Sequence, residues 1–270
     1  MTVQIYAHRG ASAAFAEHTR AAYLQALADG ADGVECDVHL SADGELILLH
    51  DDTVDRTSNG TGPVSELTLA QLRELDFSSW HITPLPPEFG TTATQLLTLL
   101  ELLHILANAG RPVGLAIEFK YGALFEPTLV ETALEALRGH GWSDDGGQAG
   151  NVEVSFMSFH PEAVAYLAQH VPAEQLCQLL EVATAPAVEA VAAGEKLLDD
   201  GVAHLAGPGV GYVRAYPGNV ARWVAAGRVL RVWTVDTADD LQLCLSHGVT
   251  QVTSNVPAVI RSTLTALPFM

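Results

Sequence analysis

Short apolar runs alternate with amphipathic stretches along most of the chain. The runs have the length of buried strands, and the stretches carry apolar residues at helical spacing. The predicted strands cover residues 3–7, 33–38, 113–119, 152–156, 175–180, 203–206, 228–235 and 250–253, and a run at 45–49 continues or pairs with the second. Eight strands, each followed by a helix, predict a closed parallel (β/α)8 TIM barrel. An open doubly wound sheet is the alternative, although no glycine-rich fingerprint follows the first strand.

One segment departs from this alternation. About 60 residues separate His50 from the strand at 113–119, which is long for a bare loop. The segment contains a turn-rich run at 57–63 and a helix that begins at Thr68, where Gln71 completes a capping box. We therefore predict a single domain over residues 1–270 with a small structured insertion after strand two, at about 51–93.

The composition is that of an acidic globular protein. The 270 residues are 49% hydrophobic, and 32 acidic residues against 13 basic ones give a formal charge of -19. A chain of this charge repels nucleic acid and anionic membrane surfaces, so we expect neither as a partner. An anionic substrate would then need local positive charge, from a metal ion or from placed Arg and Lys side chains.

The remaining compositional features favour a cytoplasmic protein. Cys36, Cys177 and Cys244 are scattered and form neither a zinc pattern nor a disulfide framework. The first residues do not have the pattern of a signal peptide, and no apolar run is long enough to span a membrane. The oligomeric state is left open.

Carboxylates collect at the predicted strand ends, where β/α barrels place reactive groups. Glu35 and Asp37 point the same way on strand two, and Glu118 lies at the end of strand three. Three acids in one barrel mouth favour a hard divalent cation, Mg²⁺ or Ca²⁺, with Mn²⁺ as a further candidate. The alternative is that they form buried salt bridges with Arg9 and Lys120.

Two histidines end other strands of the same face. His8 and His50 each stand beside a charged residue, and such a pair can supply one general base and one general acid. Arg9 and Lys120 are candidate phosphate contacts. Phe159 and Trp233, at the ends of strands four and seven, are further candidate substrate contacts. Together these residues indicate phosphoryl transfer by positioning and charge neutralisation.

The order of these motifs resembles the glycerophosphodiester phosphodiesterase family over nearly the whole chain. The matching blocks are His8-Arg9-Gly10-Ala11, residues 33–38, His50-Asp51, residues 55–62, residues 117–120, Ser158-Phe159, residues 233–235 and residues 253–257.

The resemblance implies a barrel with an insertion after strand two that cleaves glycerophosphodiesters to sn-glycerol 3-phosphate and an alcohol. It implies that Glu35, Asp37 and Glu118 bind the metal, that His8 and His50 form the acid/base pair, and that Arg9 and Lys120 contact phosphate. Glu17 matches a family acid near the metal and the glycerol hydroxyls.

Three features depart from the family pattern. His18 stands where the family usually has asparagine, and we assign it to the substrate site, where it could also alter metal choice. His39 stands where the family usually has a neutral polar residue, and we expect it to lie past the mouth in solvent. The stretch 76–94 matches poorly, so the alcohol that leaves is not predicted.

Two other functions remain open at this point. One is a related phospholipase, of the phosphatidylinositol phospholipase C or phospholipase D kind, which would act at a membrane. The other is a barrel that binds phosphodiesters without turning them over.

Overall fold

Eight parallel strands close into a barrel in the computed structural model, which describes residues 3–122 and 124–266. The strands are β1 (Gln4–Ala7), β2 (Gly33–Leu40), β3 (Leu46–Leu48), β4 (Val113–Phe119), β5 (Gln148–Ala149), β6 (Val152–Ser158), β7 (Leu176–Leu180), β8 (Leu205–Pro208), β9 (Val229–Val232) and β10 (Gln251–Ser254). The barrel runs β1-β2-β4-β6-β7-β8-β9-β10, and β10 pairs with β1 to close it. The strands β3 and β5 form antiparallel hairpins with β2 and β6 outside this ring.

Helices follow the barrel strands and cover them. They are α1 (Arg20–Ala28), α2 (Leu69–Leu72), α3 (Leu99–Ala107), α4 (Thr128–Gly139), α5 (Pro161–Leu167), α6 (Val188–Asp199), α7 (Val210–Ala215), α8 (Pro217–Ala225), α9 (Ala238–Ser246) and α10 (Pro257–Ala266). In α3 the apolar residues recur at helical spacing, so Leu99, Leu102, Leu103 and Leu106 are all buried. One continuous apolar cluster joins these helices to the outward side chains of the strands.

The segment between β3 and α3 has a small apolar cluster of its own. Val54, Val64, Leu72 and Phe77 are buried there against Ile47 of β3. The predicted capping box is present, since Thr68 and Gln71 exchange hydrogen bonds at the start of α2. This cluster holds the segment against the barrel without a long helix or strand.

The (β/α)8 fold predicted from the alternating pattern is confirmed, with local differences. The sixth barrel strand is Leu205–Pro208, two residues later than predicted, because a Gly-Pro pair that usually marks a turn continues the strand here. A side chain on Gly207 would meet Leu179 and Cys177 at less than 3 Å, so the close approach of β7 requires glycine. The hairpin strand β5 and the helix α7 were not predicted. Among the described residues, no helix is both long and apolar enough to cross a membrane.

Candidate active site

Three buried carboxylates meet at the carboxyl end of the barrel. Asp37 of β2 pairs directly with Glu118 of β4, and Glu35 lies two residues earlier on the same face of β2. One oxygen of each carboxylate lies within 4.8 Å of the others. All three residues are at most 6% exposed. Parallel strands in register therefore place the predicted acids together.

The electrostatics of this acid cluster differ from residue to residue. Burial and the charge of Asp37 raise the pKa of Glu35 well above its usual value and that of Glu118 to about 8. Burial opposes ionisation of Asp37 too, but Lys120 and a hydrogen bond from His18 outweigh it and hold the pKa of Asp37 well below its usual value. The cluster thus contains more buried carboxylate than its neighbours neutralise.

A divalent cation fits this set of donors. Among the described residues, Glu35 Oε1 is buried without a hydrogen-bond partner. Asp37 Oδ1 is paired with Lys120 Nζ at 3.0 Å. Carboxylate oxygens are the ligands that Mg²⁺, Ca²⁺ and Mn²⁺ prefer. The same residues also form the alternative predicted from the sequence, a set of buried salt bridges, through Lys120 with Glu118 and Asp37.

Arg9 reaches the acids with its backbone as well as its side chain. Its φ is 57°, in the left-handed region that non-glycine residues seldom adopt. In this conformation the Arg9 N–H donates to Glu35 Oε2 at 2.8 Å. Its Nη1 donates to Glu17 at 3.0 Å, and its Nε lies 3.1 Å from Asp37 Oδ2. An uncommon backbone conformation is therefore accompanied by a direct contact to a carboxylate of the cluster.

His18 lies behind Asp37 and does not line the cavity. Its Nε2 contacts Asp37 Oδ2 at 2.8 Å and its Nδ1 contacts the Tyr23 hydroxyl at 2.9 Å. Burial lowers the pKa of His18 and so favours the neutral ring, although Asp37 acts in the opposite direction. The neutral ring donates from Nε2 to the carboxylate and accepts at Nδ1 from the hydroxyl, so neither nitrogen is free for a metal. This position supports orientation of Asp37, while the predicted contact with substrate stays a prediction.

His8 follows β1 and is held by the last loop of the barrel. Asn255 Nδ2 donates to Asp236 at 2.6 Å, so the amide oxygen faces His8. His8 Nδ1 donates to that oxygen at 2.8 Å, which leaves Nε2 as the acceptor. Burial, with the charge of Arg9 beside it, lowers the pKa of His8 to about 4. The ring is therefore neutral near pH 7, with a defined tautomer.

His50 follows β3 and has a charged support. Its Nδ1 donates to Asp51 Oδ1 at 2.7 Å, and its side chain is 36% exposed. Arg56 donates to Asp51 at 2.7 and 3.0 Å and to Glu17 at 2.7 and 2.9 Å. Burial would raise the pKa of Glu17, but the hydrogen bonds from Arg56 and the charge of Arg9 lower it to about 2. A chain of alternating charges thus joins His50 to the acid cluster.

The expectation that His39 is solvated is wrong. The side chain lies on β2 with 8% exposure, and its Nε2 donates to the His50 carbonyl at 3.2 Å. The β2–β3 hairpin turns the chain back, so residues 39 and 47 pair, the Leu49 N–H donates to the Asp37 carbonyl, and His50 follows directly. His39 shares the parity of Glu35 and Asp37, and that parity was the signal that it faces inward.

A cavity of about 210 Å³ joins most of the predicted site residues. It is lined by His8, Arg9, Glu35, His50, Glu118, Lys120, Phe159 and Trp233, with Arg231 and Thr253 among the others. Phe159 and Trp233 meet edge to face, with ring centroids 5.3 Å apart. Glu17, His18 and Asp37 lie outside this lining. Both histidines therefore open onto one space beside the carboxylates.

Sequence reasoning missed the residues that support the two histidines. Asn255 and Asp51 were noted only as members of motifs, and Arg56 was given no role. Arg231 inside the barrel was also missed, where it stacks on Tyr6 at 4.2 Å. Polar residues directly after a predicted strand were the available signal for Asn255 and Asp51.

Comparison with known proteins gives matches along the whole barrel. Residues 8–259 match the Glycerophosphoryl diester phosphodiesterase family. A probable glycerophosphodiester phosphodiesterase 1 from Mycobacterium tuberculosis is 38% identical over 256 residues, which are 94% of this chain and 89% of that protein. A glycerophosphodiester phosphodiesterase from Bacillus subtilis is 31% identical over 93% of this chain and 83% of its own length. A solved Oleispira antarctica phosphodiesterase, in complex with the product sn-glycerol-3-phosphate, superposes with a TM-score of 0.77 at 26% identity, over 97% of each chain.

Proposed function

We propose a reaction from the premise that this chain belongs to the glycerophosphoryl diester phosphodiesterase family. The protein hydrolyses glycerophosphodiesters to sn-glycerol 3-phosphate and an alcohol. A divalent metal ion and two histidines take part in this reaction. The predicted family and the predicted class of enzyme are confirmed by the matches. The metal, the roles of the histidines and the substrate contacts belong to the proposal, as do the single domain and the cytoplasmic location.

Glu35, Asp37 and Glu118 would hold the metal, since each offers an oxygen within 4.8 Å of the others. Bound there, a divalent ion would supply Lewis-acid polarisation of the phosphate and would favour the ionised form of an attacking hydroxyl. Glu35 and Glu118 also have to lose their protons to act as ligands, and a nearby cation favours that loss. His18 and the Arg9 backbone N–H orient two of the three ligands through direct hydrogen bonds.

His8 is proposed as the general base. Its depressed pKa leaves the ring neutral near pH 7, and its Nδ1 proton is engaged by Asn255. The free Nε2 lone pair can then accept the proton of the attacking water or glycerol hydroxyl. Asp236 fixes Asn255 and so prevents the amide from turning the wrong atom toward the ring.

His50 is proposed as the general acid. Its Nδ1 is tied to Asp51, which leaves Nε2 as the nitrogen that carries the proton for the leaving group. His50 donates that proton to the alcohol oxygen as the bond between phosphorus and this oxygen breaks. Arg56 holds Asp51 with two hydrogen bonds, so the support of the ring is itself fixed.

Positive side chains and rings complete the proposed substrate site. Arg9 and Lys120 line the cavity and would contact the phosphate. Phe159 and Trp233 form an apolar wall of the same cavity, suited to the carbon atoms of the substrate. Glu17 is proposed to bind the glycerol hydroxyls, and its hydrogen bonds to Arg9 and Arg56 also fix those two cations.

The observation that carries the proposal is that two differently supported histidines share one cavity with Glu35 and Glu118, and that Asp37 joins these two acids in a buried cluster. The bound sn-glycerol-3-phosphate of the Oleispira antarctica enzyme supports glycerol 3-phosphate as the product. A barrel that only bound diesters would have no need of two imidazole rings that are each fixed through Nδ1. A phospholipase acting at an anionic membrane would be repelled by the charge of -19.

The test is release of glycerol 3-phosphate from glycerophosphocholine and glycerophosphoethanolamine. We expect product from the purified protein, loss of product after EDTA treatment, and recovery with Mg²⁺, Ca²⁺ or Mn²⁺. Calorimetry of the same ion with Glu118→Ala should show weakened binding, because one ligand is lost. Turnover that survives complete metal removal would refute the metal-dependent mechanism, and no product with any ion would refute the proposed reaction.

A further inference from the structure

A second space adjoins the catalytic cavity on the side of His50. It is a groove of about 520 Å³ that shares His50, Glu118, Lys120 and Phe159 with the cavity. His8 lines the cavity but not the groove. The groove therefore starts at the proposed general acid and leads away from the proposed general base. Since the acid protonates the leaving oxygen, this is the side on which the alcohol departs.

The walls of this groove are mainly apolar. The β4–α4 loop contributes Tyr121 and Gly122, the start of α5 contributes Pro161, and α6 contributes Ala190 and Ala193. Small side chains on α6 leave the space open, because any longer residue at these positions would project into it.

Charge is sparse along the groove beyond its catalytic end. Past Glu118 and Lys120, the acidic or basic residues that line it within the described chain are Glu162 and the titratable ring of His160. The groove therefore offers few charged groups to a polar alcohol beyond its catalytic end.

We propose that this groove, lined by Tyr121, Pro161, Ala190 and Ala193, binds the leaving alcohol and selects alcohols that carry an extended alkyl group over compact polar ones. The inference rests on the proposed function, because it takes His50 as the acid that faces the leaving group. The volume of the groove lies within the range of about 300–1,000 Å³ that is typical of sites for drug-sized molecules. A compact head group such as ethanolamine would leave most of the apolar wall in water.

The test is a series of glycerophospho-n-alkanols from ethanol to hexanol, compared with glycerophosphocholine and glycerophosphoglycerol. Complete burial of a methylene group corresponds to about a fourfold gain, and the groove is open along one side. We therefore expect kcat/KM to rise roughly two- to fourfold for each added methylene. Glycerophosphohexanol should then be a better substrate than either polar diester.

Two variants of α6 locate the effect. Ala193→Trp places a large ring in the groove, and we expect it to remove the preference for hexanol over ethanol. Ala192→Trp adds the same ring one residue earlier on the exposed surface, outside the groove lining, and should keep the full preference. Thermal unfolding of both variants checks that the two substitutions lower the unfolding temperature equally.

The possible outcomes separate this inference from the reaction itself. Three outcomes would overturn the alkyl subsite and leave the reaction standing. They are a kcat/KM that does not change with alkyl length, a higher kcat/KM for glycerophosphocholine than for glycerophosphohexanol, and a dependence on alkyl length that is unchanged in Ala193→Trp. Absence of turnover on every diester would overturn the proposed function and the subsite with it.

Discussion

The two histidines at the barrel mouth are held in contrasting ways. His8 is tied to the neutral amide of Asn255, and burial lowers its pKa to about 4. His50 is tied to the carboxylate of Asp51, and its side chain is 36% exposed. One support is a neutral amide, and the other is a carboxylate that Arg56 holds in place. This difference between the partners is the basis for proposing opposite roles for two identical side chains.

Turnover should require His8, the proposed base, whichever alcohol leaves. We expect His8→Ala to lower kcat by about 10²- to 10⁴-fold with glycerophosphocholine and with glycerophospho-p-nitrophenol, because the attacking group loses its proton acceptor in both. Glycerol 3-phosphate release and absorbance follow the two reactions. A normal rate with either substrate would show that His8 is not the base.

The requirement for His50, the proposed acid, should depend on the leaving group. We expect His50→Ala to lower kcat by a similar factor with glycerophosphocholine, but by less than about tenfold with glycerophospho-p-nitrophenol. The reason is that p-nitrophenolate leaves without being protonated, whereas the choline oxygen requires a proton. The opposite pattern, with His8→Ala as the substrate-sensitive variant, would exchange the two roles.

Loss of the Asp51 carboxylate, the partner of His50, should lower kcat by less than loss of His50 itself. We expect Asp51→Asn to lower kcat with glycerophosphocholine by up to about a hundredfold, since the ring loses its orientation and its charged partner. Asp52→Asn is the matched control, because that neighbouring side chain is 80% exposed. Equal rates in the two variants would remove Asp51 from the mechanism.

The smallest effect is expected for the hydrogen bond that anchors the backbone at His50. His39→Phe removes the donor to the His50 carbonyl, and we expect the free energy of unfolding to fall by about 1 kcal/mol. Urea denaturation measures this change, and a modest loss of kcat should accompany it because His50 loses an anchor. An unchanged unfolding midpoint would show that the bond contributes nothing to stability.

The barrel and its acid cluster could be predicted from local pattern. Parity along one strand places Glu35 and Asp37 on the same face, and adjacent parallel strands bring Glu118 to them in register. These inferences need only the direction and order of the strands. The same reasoning places His8 at this mouth, whereas His50 reaches it through the antiparallel β2–β3 hairpin.

The supports of the histidines could not be predicted in this way. Asn255 reaches His8 only because β10 closes against β1, and Asp236 orients the amide from the β9–α9 loop. The parity of His39 indicates an inward side chain, but its burial depends on where the hairpin turns. The open wall of α6 depends on how that helix rotates over the barrel. Such features follow from packing between distant segments and not from any single window of sequence.

The hydrogen bond between His8 and Asn255 spans 247 positions of the chain. At synthesis rates of about 5–20 residues per second, the ribosome takes about 12–50 s to deliver Asn255 after His8 has been made. During that interval β1 lacks its partner β10, and the ring of His8 lacks the amide that sets its tautomer. A nascent chain therefore contains all the proposed metal ligands well before it contains the amide that fixes the proposed base, so the proposed site is complete only after the final strand has been made.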